Sequence, residues 1–254
     1  MEVHSQELSD VTRYIEKHRH LKLEDYQFMY DATMKVIGRY ITPGPDTPML
    51  EIGTGPGWYP VMSRLNGIPC DGLEISPQLV DFGAELAREH GLETSIRLGN
   101  IEQEEIGANL YKIVVCNSVF EHIEYWRPSL RKIVKAMKPG GIFVFSSTNR
   151  FSFTSAEYSF PLYGWLPDKW RYALRVKRQG PDIMKLGIDF NQFTYPQLRK
   201  EFKEVGFTEV YDLIDLADPE SPLKKAVVGA ARATPLIKWP VLTFNPATVF
   251  VCRK

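Results

Sequence analysis

Met49-Leu50-Glu51-Ile52-Gly53-Thr54-Gly55-Pro56-Gly57-Trp58 is the stretch that decides the fold. A short apolar run leads straight into three alternating glycines, and a segment long enough for a helix, Trp58 to Leu65, follows at once. Glycine takes backbone angles closed to other residues and carries no Cβ to hold a ligand away, while a starting helix leaves its first N–H groups unpaired. Strand, glycine loop and helix in that order predict a place where a polar small molecule lies against backbone.

Working downstream, CDGLEI (70–75), TSIRLG (94–99), YKIVVCNS (111–118) and GIFVFSST (141–148) are further strand candidates. Pro77 to His90 and Trp126 to Met137 lie between them, each long enough for a helix that returns the chain to start a new strand. Strands alternating with helices predict an α/β fold with parallel pairing and right-handed crossovers. Upstream, residues 6–40 have helical spacing, as at Tyr26, Tyr30, Met34 and Ile37, and end at Thr42-Pro43-Gly44-Pro45, where prolines and glycine stop a helix. Residues 150–192 break the alternation with aromatics and bases; a helix (Tyr195 to Val205), a strand (Phe207 to Leu216), a proline-interrupted segment (Pro219 to Pro240) and a last strand (Thr248 to Cys252) complete the pattern. The expectation is a single domain over 1–254: an N-terminal helical segment (1–45), a ligand-binding core (46–149), an insertion over the sheet (150–192) and the rest of the sheet (193–254).

Lys plus Arg equal Asp plus Glu at 31 each, so no overall positive field attracts a polyanion and nucleic acid is a poor default partner. Cys70, Cys116 and Cys252 are odd in number and far apart, unlike a disulfide framework or a zinc site, which fits a reducing, cytoplasmic setting and no metal. MEVHSQELSDVTRY has no apolar core behind a basic start, so no secretory signal is expected and the mature chain is expected to begin near Met1. No apolar run reaches the roughly 18 residues of a membrane span, which leaves peripheral membrane contact open.

A dinucleotide loop follows G-x-G-x-x-G, and Trp58 occupies the place of its last glycine, where an indole would crowd a pyrophosphate. The G-x-G-x-G actually present, with Glu51 two residues ahead, resembles the first motif of class I S-adenosylmethionine-dependent methyltransferases, whose loop wraps the amino-acid part of the cofactor. Later residues extend the resemblance in order. Glu74, with Ile75, ends the second strand, where the family places a carboxylate that accepts the ribose hydroxyls. Gly99-Asn100-Ile101 follows the third strand, where the family usually has Gly-Asp. Asn100 departs from that pattern, yet its amide oxygen can accept one bond from an adenine amino group. Cys116-Asn117-Ser118-Val119-Phe120-Glu121-His122 looks like the family's exit from strand four, and Met137-Lys138-Pro139-Gly140-Gly141 like its turn before strand five. The resemblance implies a Rossmann-like seven-stranded sheet in the order 3-2-1-4-5-7-6 with the last strand antiparallel. It implies a cofactor site built from Glu51, Gly53, Gly55, Gly57, Glu74, Ile75, Asn100, Ile101, Asn117 and Ser118, and methyl transfer to a small-molecule acceptor. A cofactor-binding or regulatory protein without transfer activity is the alternative on the same fold.

Two residues are candidates for acid–base work on the acceptor. His122 leaves strand four towards the site, and imidazole titrates near neutral pH; the Glu121-His122 pair could equally support the cofactor pocket. Asp189 lies ahead of the helix carrying Leu198 and Phe202, where relatives often place a histidine, and could equally make a turn or cap. Asn149 and Arg150 are acceptor contacts or the start of a loop. The insertion is a lid forming an apolar acceptor pocket, a membrane-facing segment or a small satellite core; Trp165, Trp170 and Tyr172 beside Lys169, Arg171, Arg175, Lys177 and Arg178 would suit an interfacial helix. The sequence decides neither the acceptor nor the oligomeric state.

Overall fold

The structure, a computed structural model, describes residues 11–154, 160–179, 189–219 and 221–254. Its centre is a seven-stranded sheet in the order β3-β2-β1-β4-β5-β7-β6. The strands are β1 (Met49–Ile52), β2 (Cys70–Glu74), β3 (Ile96–Leu98), β4 (Tyr111–Asn117), β5 (Met137–Thr148), β6 (Glu209–Asp212) and β7 (Ala247–Arg253). Strands β1 to β5 pair in parallel, and β7 runs antiparallel to both β5 and β6. The order and the antiparallel last strand are those the resemblance implied.

Alternation along the central strands shows why both faces must be covered. In β4, Val114 and Cys116 join one apolar cluster and Ile113 and Val115 the other, and β5 splits Phe143 and Phe145 from Ile142 and Val144 in the same way. A parallel strand buried on both faces reads as a continuous apolar run, as YKIVVC and GIFVF do. The helices preceding the last strands are α1 (Thr12–Arg19), α2 (Leu23–Ile37), α3 (Trp58–Leu65), α4 (Pro77–Glu89), α5 (Trp126–Ala136), α6 (Asp168–Gln179) and α7 (Tyr195–Glu204). Leu130 and Ile133 of α5 and Leu198 and Phe202 of α7 cover one face; Tyr26 and Tyr30 of α2 and Tyr59 and Met62 of α3 cover the other. Local chemistry sets several starts: Ser76 and Thr194 accept N–H bonds from Leu79 and Gln197, each with a proline in the first turn of the helix it caps.

Three boundaries differ from the sequence reading. The turn at Lys138–Gly141 lies inside β5 as a bulge: the register jumps from Tyr111↔Met137 to Ile113↔Ile142, and Gly141 fits because a Cβ there would meet Lys112 O at 2.9 Å. The expected strand over 207–216 is a strand only to Asp212, whose carboxylate accepts from Ile214 and Asp215 N–H and caps a short helix, α8 (Leu213–Leu216). The proline-interrupted segment forms α9 (Pro222–Ala233) and α10 (Pro235–Phe244), each with a proline in its first turn and α10 with Pro240 inside. Of the expected helix from residue 6, residues 6–10 lie outside the described residues, as do 155–159 and 180–188 of the insertion.

Candidate cofactor and acceptor site

The carboxyl ends of β1, β2, β3 and β4 meet at one edge of the sheet, where the glycine loop crosses. Gly53 N–H donates to Leu73 O at 2.8 Å and Gly99 N–H to Glu74 O at 2.8 Å, which draws the three strand ends together. All three loop glycines have positive φ, at +67°, +55° and +80°, but their surroundings differ. A Cβ on Gly53 would strike Val119 Cγ2 at 2.4 Å, and one on Gly57 would strike Ile96 Cδ1 at 2.5 Å; among the described residues, a Cβ on Gly55 would meet only the Tyr14 hydroxyl at 3.4 Å. Gly53 and Gly57 are therefore needed for packing against β4's exit and α4, and Gly55 keeps its backbone open to a ligand.

Glu74 sits beneath this opening, buried at 4% exposure. Its Oε2 accepts from Gly55 N–H at 2.7 Å, and its Oε1 from Ile75 and Ser76 N–H at 3.0 Å each. Burial raises its pKa while these three bonds pull it back, so the carboxylate is oriented by backbone at the edge of the loop. Glu51 has a different part. Its Oε2 accepts from Thr54 Oγ1 at 2.6 Å, and burial, opposed by that bond and aided by the charge of Glu74, pushes its pKa up to about 8. The folded protein thus holds a proton that the unfolded chain releases above its ordinary carboxyl pKa. Stability contributed by that proton is full at low pH, falls as pH rises from about 4.5 to about 8, and is gone above that interval. Glu51→Gln is expected to remove this slope, on the order of 2–4 kcal/mol, measured as denaturant midpoints at pH 5 and pH 9. An unchanged slope would place the proton elsewhere.

Trp58, the residue that separates this loop from a dinucleotide loop, stacks on Tyr26 of α2 with ring centroids 4.9 Å apart and planes within 8°. Tyr26 stacks in turn with His18, which bonds its hydroxyl, and His18 meets Tyr14 at 4.3 Å. The N-terminal helices are thereby tied to the loop, and Tyr14 is carried over it. Tyr14 is 40% exposed as a residue, but desolvation of its hydroxyl end over the loop, and then Tyr26, Glu74 and Glu51 nearby, raise its pKa, so it stays a neutral hydrogen-bonding group. Tyr14 was missing from the sequence-derived site. The i, i+4 spacing of Tyr14 and His18 could have pointed to one helix face, but nothing local tells that this face closes on the loop.

The other sequence-derived residues divide. Asn117 and Ser118 are exposed at the end of β4, and Ser118 has φ +54°, a turn a non-glycine residue makes at a cost of about 1–2 kcal/mol. Its N–H bonds Ser146 O at 2.9 Å and the Asn117 amide oxygen accepts from Ser146 Oγ at 2.9 Å, so strained backbone is held at the strand exit. Asn100 spends one lone pair of its amide oxygen on Glu102 N–H at 2.9 Å, and the side chain of Ile101 is in the core at 5% exposure. Ile75 is half-buried beside Glu74. His122 is half-buried in a 3-10 turn, Phe120–His122, directly beyond Ser118, and the preceding Glu121 is fully buried and accepts from Ser147 Oγ at 2.8 Å.

Asp189 points into the insertion. It is fully buried; Oδ1 accepts from Arg175 Nη1 at 2.9 Å, Oδ2 from Gln192 at 3.1 Å and from Arg171 Nη1, and Tyr163 Oη lies 3.2 Å from Oδ2. Arg171 and Arg175, which the sequence offered as bases of an interfacial helix, are 1% and 3% exposed because they face this carboxylate. Lys169, Lys177 and Arg178 remain outside. Asn149 donates to Leu242 O and Asn245 O, both at 2.9 Å, and so clasps α10; Arg150 is exposed beside a polar cleft of about 170 Å³ with Gln192 and Gln197. That cleft is smaller than the roughly 300 Å³ a drug-sized ligand fills.

Comparison with known proteins agrees with the fold. The family described as "Methyltransferase domain" matches residues 23–212. The ubiquinone biosynthesis O-methyltransferase of Rickettsia bellii is 27% identical over 128 residues, covering 48% of this chain and 52% of that protein. Its namesake in Coxiella burnetii is 26% identical over 171 residues, covering 65% and 64%. The match to the first of these curated relatives thus spans about half of its length. Among solved structures, phosphoethanolamine N-methyltransferase 2 of Haemonchus contortus in complex with S-adenosyl-L-methionine has the same fold at TM-score 0.59 and 15% identity, covering 88% of this chain and 52% of that one. With three quarters of its length matched by the family and the strand order in agreement, the chain belongs to the methyltransferase-domain family.

Proposed function

We propose that this protein transfers a methyl group from S-adenosylmethionine to a small-molecule acceptor with an apolar or lipid-like part. The observation that carries the reading is Gly55, where a Cβ would make no clash with the described residues and which Glu74 and Tyr14 frame, in a loop whose other two glycines are packed shut. The bound cofactor supplies a methyl group already activated by positive sulfur, so the chain's own contribution is to orient the nucleophile for in-line attack and to exclude water. In this reading Glu74 holds the ribose, the Gly53–Gly57 loop and Asn117–Ser118 frame the amino-acid part, and Ile75, Asn100 and Ile101 border the adenine. The relatives' naming makes a hydroxyl the acceptor group to test first. Phe151 and Phe153 against Trp165, at 5.4 and 5.9 Å beyond β5, favour an apolar acceptor under a lid to which the described residues of the insertion contribute. The three buried free thiols favour the cytoplasm.

A hydroxyl acceptor loses a proton as the C–O bond forms, and His122, at the exit of β4, is the base assigned to take it. Asp189, with both oxygens engaged by arginines, is assigned to hold the lid. His122→Ala is expected to lower kcat about 10²- to 10⁴-fold with donor affinity kept, and to remove the acidic limb of the pH–rate profile. Full activity in that variant would leave the acceptor needing no base. The reading itself is tested with methyl-labelled S-adenosylmethionine and phenolic acceptors with and without prenyl chains. Label in an organic-extractable product supports it. Donor binding with no transfer to any acceptor would favour the non-catalytic alternative.

A further inference from the structure

The pair α9 and α10 presents an apolar outer face that the described residues leave exposed. Leu223, Val227, Leu236, Ile237, Trp239 and Phe244 are 76%, 58%, 86%, 42%, 44% and 40% exposed, while Ala231 and Leu242 are their buried contacts with the body. A contiguous apolar face of this kind on a soluble fold marks a surface that meets something else. It also continues past α10: Phe244 stacks on Phe153 at 5.1 Å and on Trp165 at 6.3 Å, two residues that are themselves 55% and 42% exposed. Phe153 lies just beyond β5, and Asn149, at the end of that strand, clasps the end of α10, so the face adjoins the edge of the sheet that carries the candidate site.

Its charge pattern selects the partner. From Ser221 to Lys254 the chain has no Asp or Glu, and Lys224 and Lys225 are exposed on the first turn of α9 beside Leu223. The nearest described acids of the neighbouring elements are already held by bases: Asp212 and Asp215 by Lys238, at 2.8 and 2.7 Å, and Asp218 by Arg39 at 3.2 Å. Exposed leucines and a tryptophan, with lysines in the first turn of the same helix pair, suit the headgroup and upper acyl region of a bilayer with negative lipids. Helices of 12 and 10 residues, one containing Pro240, fall short of the roughly 20 that a span needs. We propose that α9, α10 and the Phe153–Trp165–Phe244 stack form a face by which the protein lies on an anionic phospholipid bilayer. This placement sets the carboxyl end of β5 beside the membrane and is independent of whether the site is catalytic.

The test is flotation of the full chain with vesicles of phosphatidylcholine alone and of phosphatidylcholine mixed with phosphatidylglycerol, with thermal melts as the folding control and light scattering for mass. The wild type is expected to float with the mixed vesicles. Leu236→Glu combined with Leu223→Glu should weaken this on the order of tenfold or more. Lys224→Glu with Lys225→Glu should weaken it about fivefold per lysine and erase the preference for negative lipid. These side chains are outside, so melting temperatures should hold. Failure of the wild type to float, or flotation unchanged by Leu236→Glu with Leu223→Glu, would overturn the proposal. So would loss of flotation only on reversing Lys177 and Arg178 of α6. A dimer that Leu236→Glu disperses, with no flotation, would assign the face to a second copy of the chain.

Discussion

Gly55→Arg is expected to leave a folded protein that no longer binds S-adenosylmethionine. A Cβ is accommodated there, because among the described residues only the Tyr14 hydroxyl lies within 4 Å of it. The φ of +55° charges a non-glycine residue roughly 1–2 kcal/mol, too little to unfold a domain of this size. What the arginine does is fill the space in which the amino-acid part of the ligand would touch backbone and set a cation beside a cationic ligand. A loss of affinity of at least about a hundredfold, roughly 2.8 kcal/mol, follows, measured by calorimetric titration beside a thermal melt. Gly53→Ala and Gly57→Ala would answer a different question, since their Cβ atoms collide at 2.4 and 2.5 Å and a loss of binding could reflect a damaged fold. Unchanged affinity in Gly55→Arg would put the cofactor elsewhere.

Asp189→Ala is expected to destabilise the insertion by about 3 kcal/mol, because Arg171 and Arg175 would remain buried with their shared counter-charge removed, Arg171 keeping the exposed Asp168. For a chain of this length that corresponds to a melting temperature lower by about 10 °C, if the insertion melts with the body, or to faster proteolysis within residues 150–192 if it opens by itself. Asp189→Asn keeps the shape and hydrogen-bonding oxygen and loses the charge, so it should fall between the wild type and the alanine variant. A catalytic base behaves differently: Asp189→Asn would melt like the wild type and lose kcat with its acidic limb. A normal melt and protease pattern in Asp189→Ala would end the role assigned here.

The contrast between these residues shows how far the sequence carries. The sheet was legible because β4 and β5 are buried on both faces and carry continuous apolar runs, and because the glycine loop marks where β1 ends. Glu74 was found from its position at the end of β2, and the structure adds the three backbone N–H groups that aim it. Roles that depend on distant packing were not legible. Glycines spaced alike at 53, 55 and 57 differ only through Val119, Ile96 and open space, none of which is local. The bases of α6 have the composition of an interfacial helix, yet Arg171 and Arg175 turn inward because Asp189, 14 to 18 residues away, is buried beneath them. The apolar outer face of α9 and α10 was hidden by Pro222, Pro235 and Pro240, which read as interruptions although the first two lie in the opening turns of helices.

Calorimetric titration of the purified protein with S-adenosylmethionine and S-adenosylhomocysteine, with NAD as the control ligand, tests the central claim most directly. Saturable binding of the first two at one site, with no heat from NAD, is the expected result. Silence from both sulfur ligands in a protein shown to be folded, or binding of NAD in their place, would contradict it.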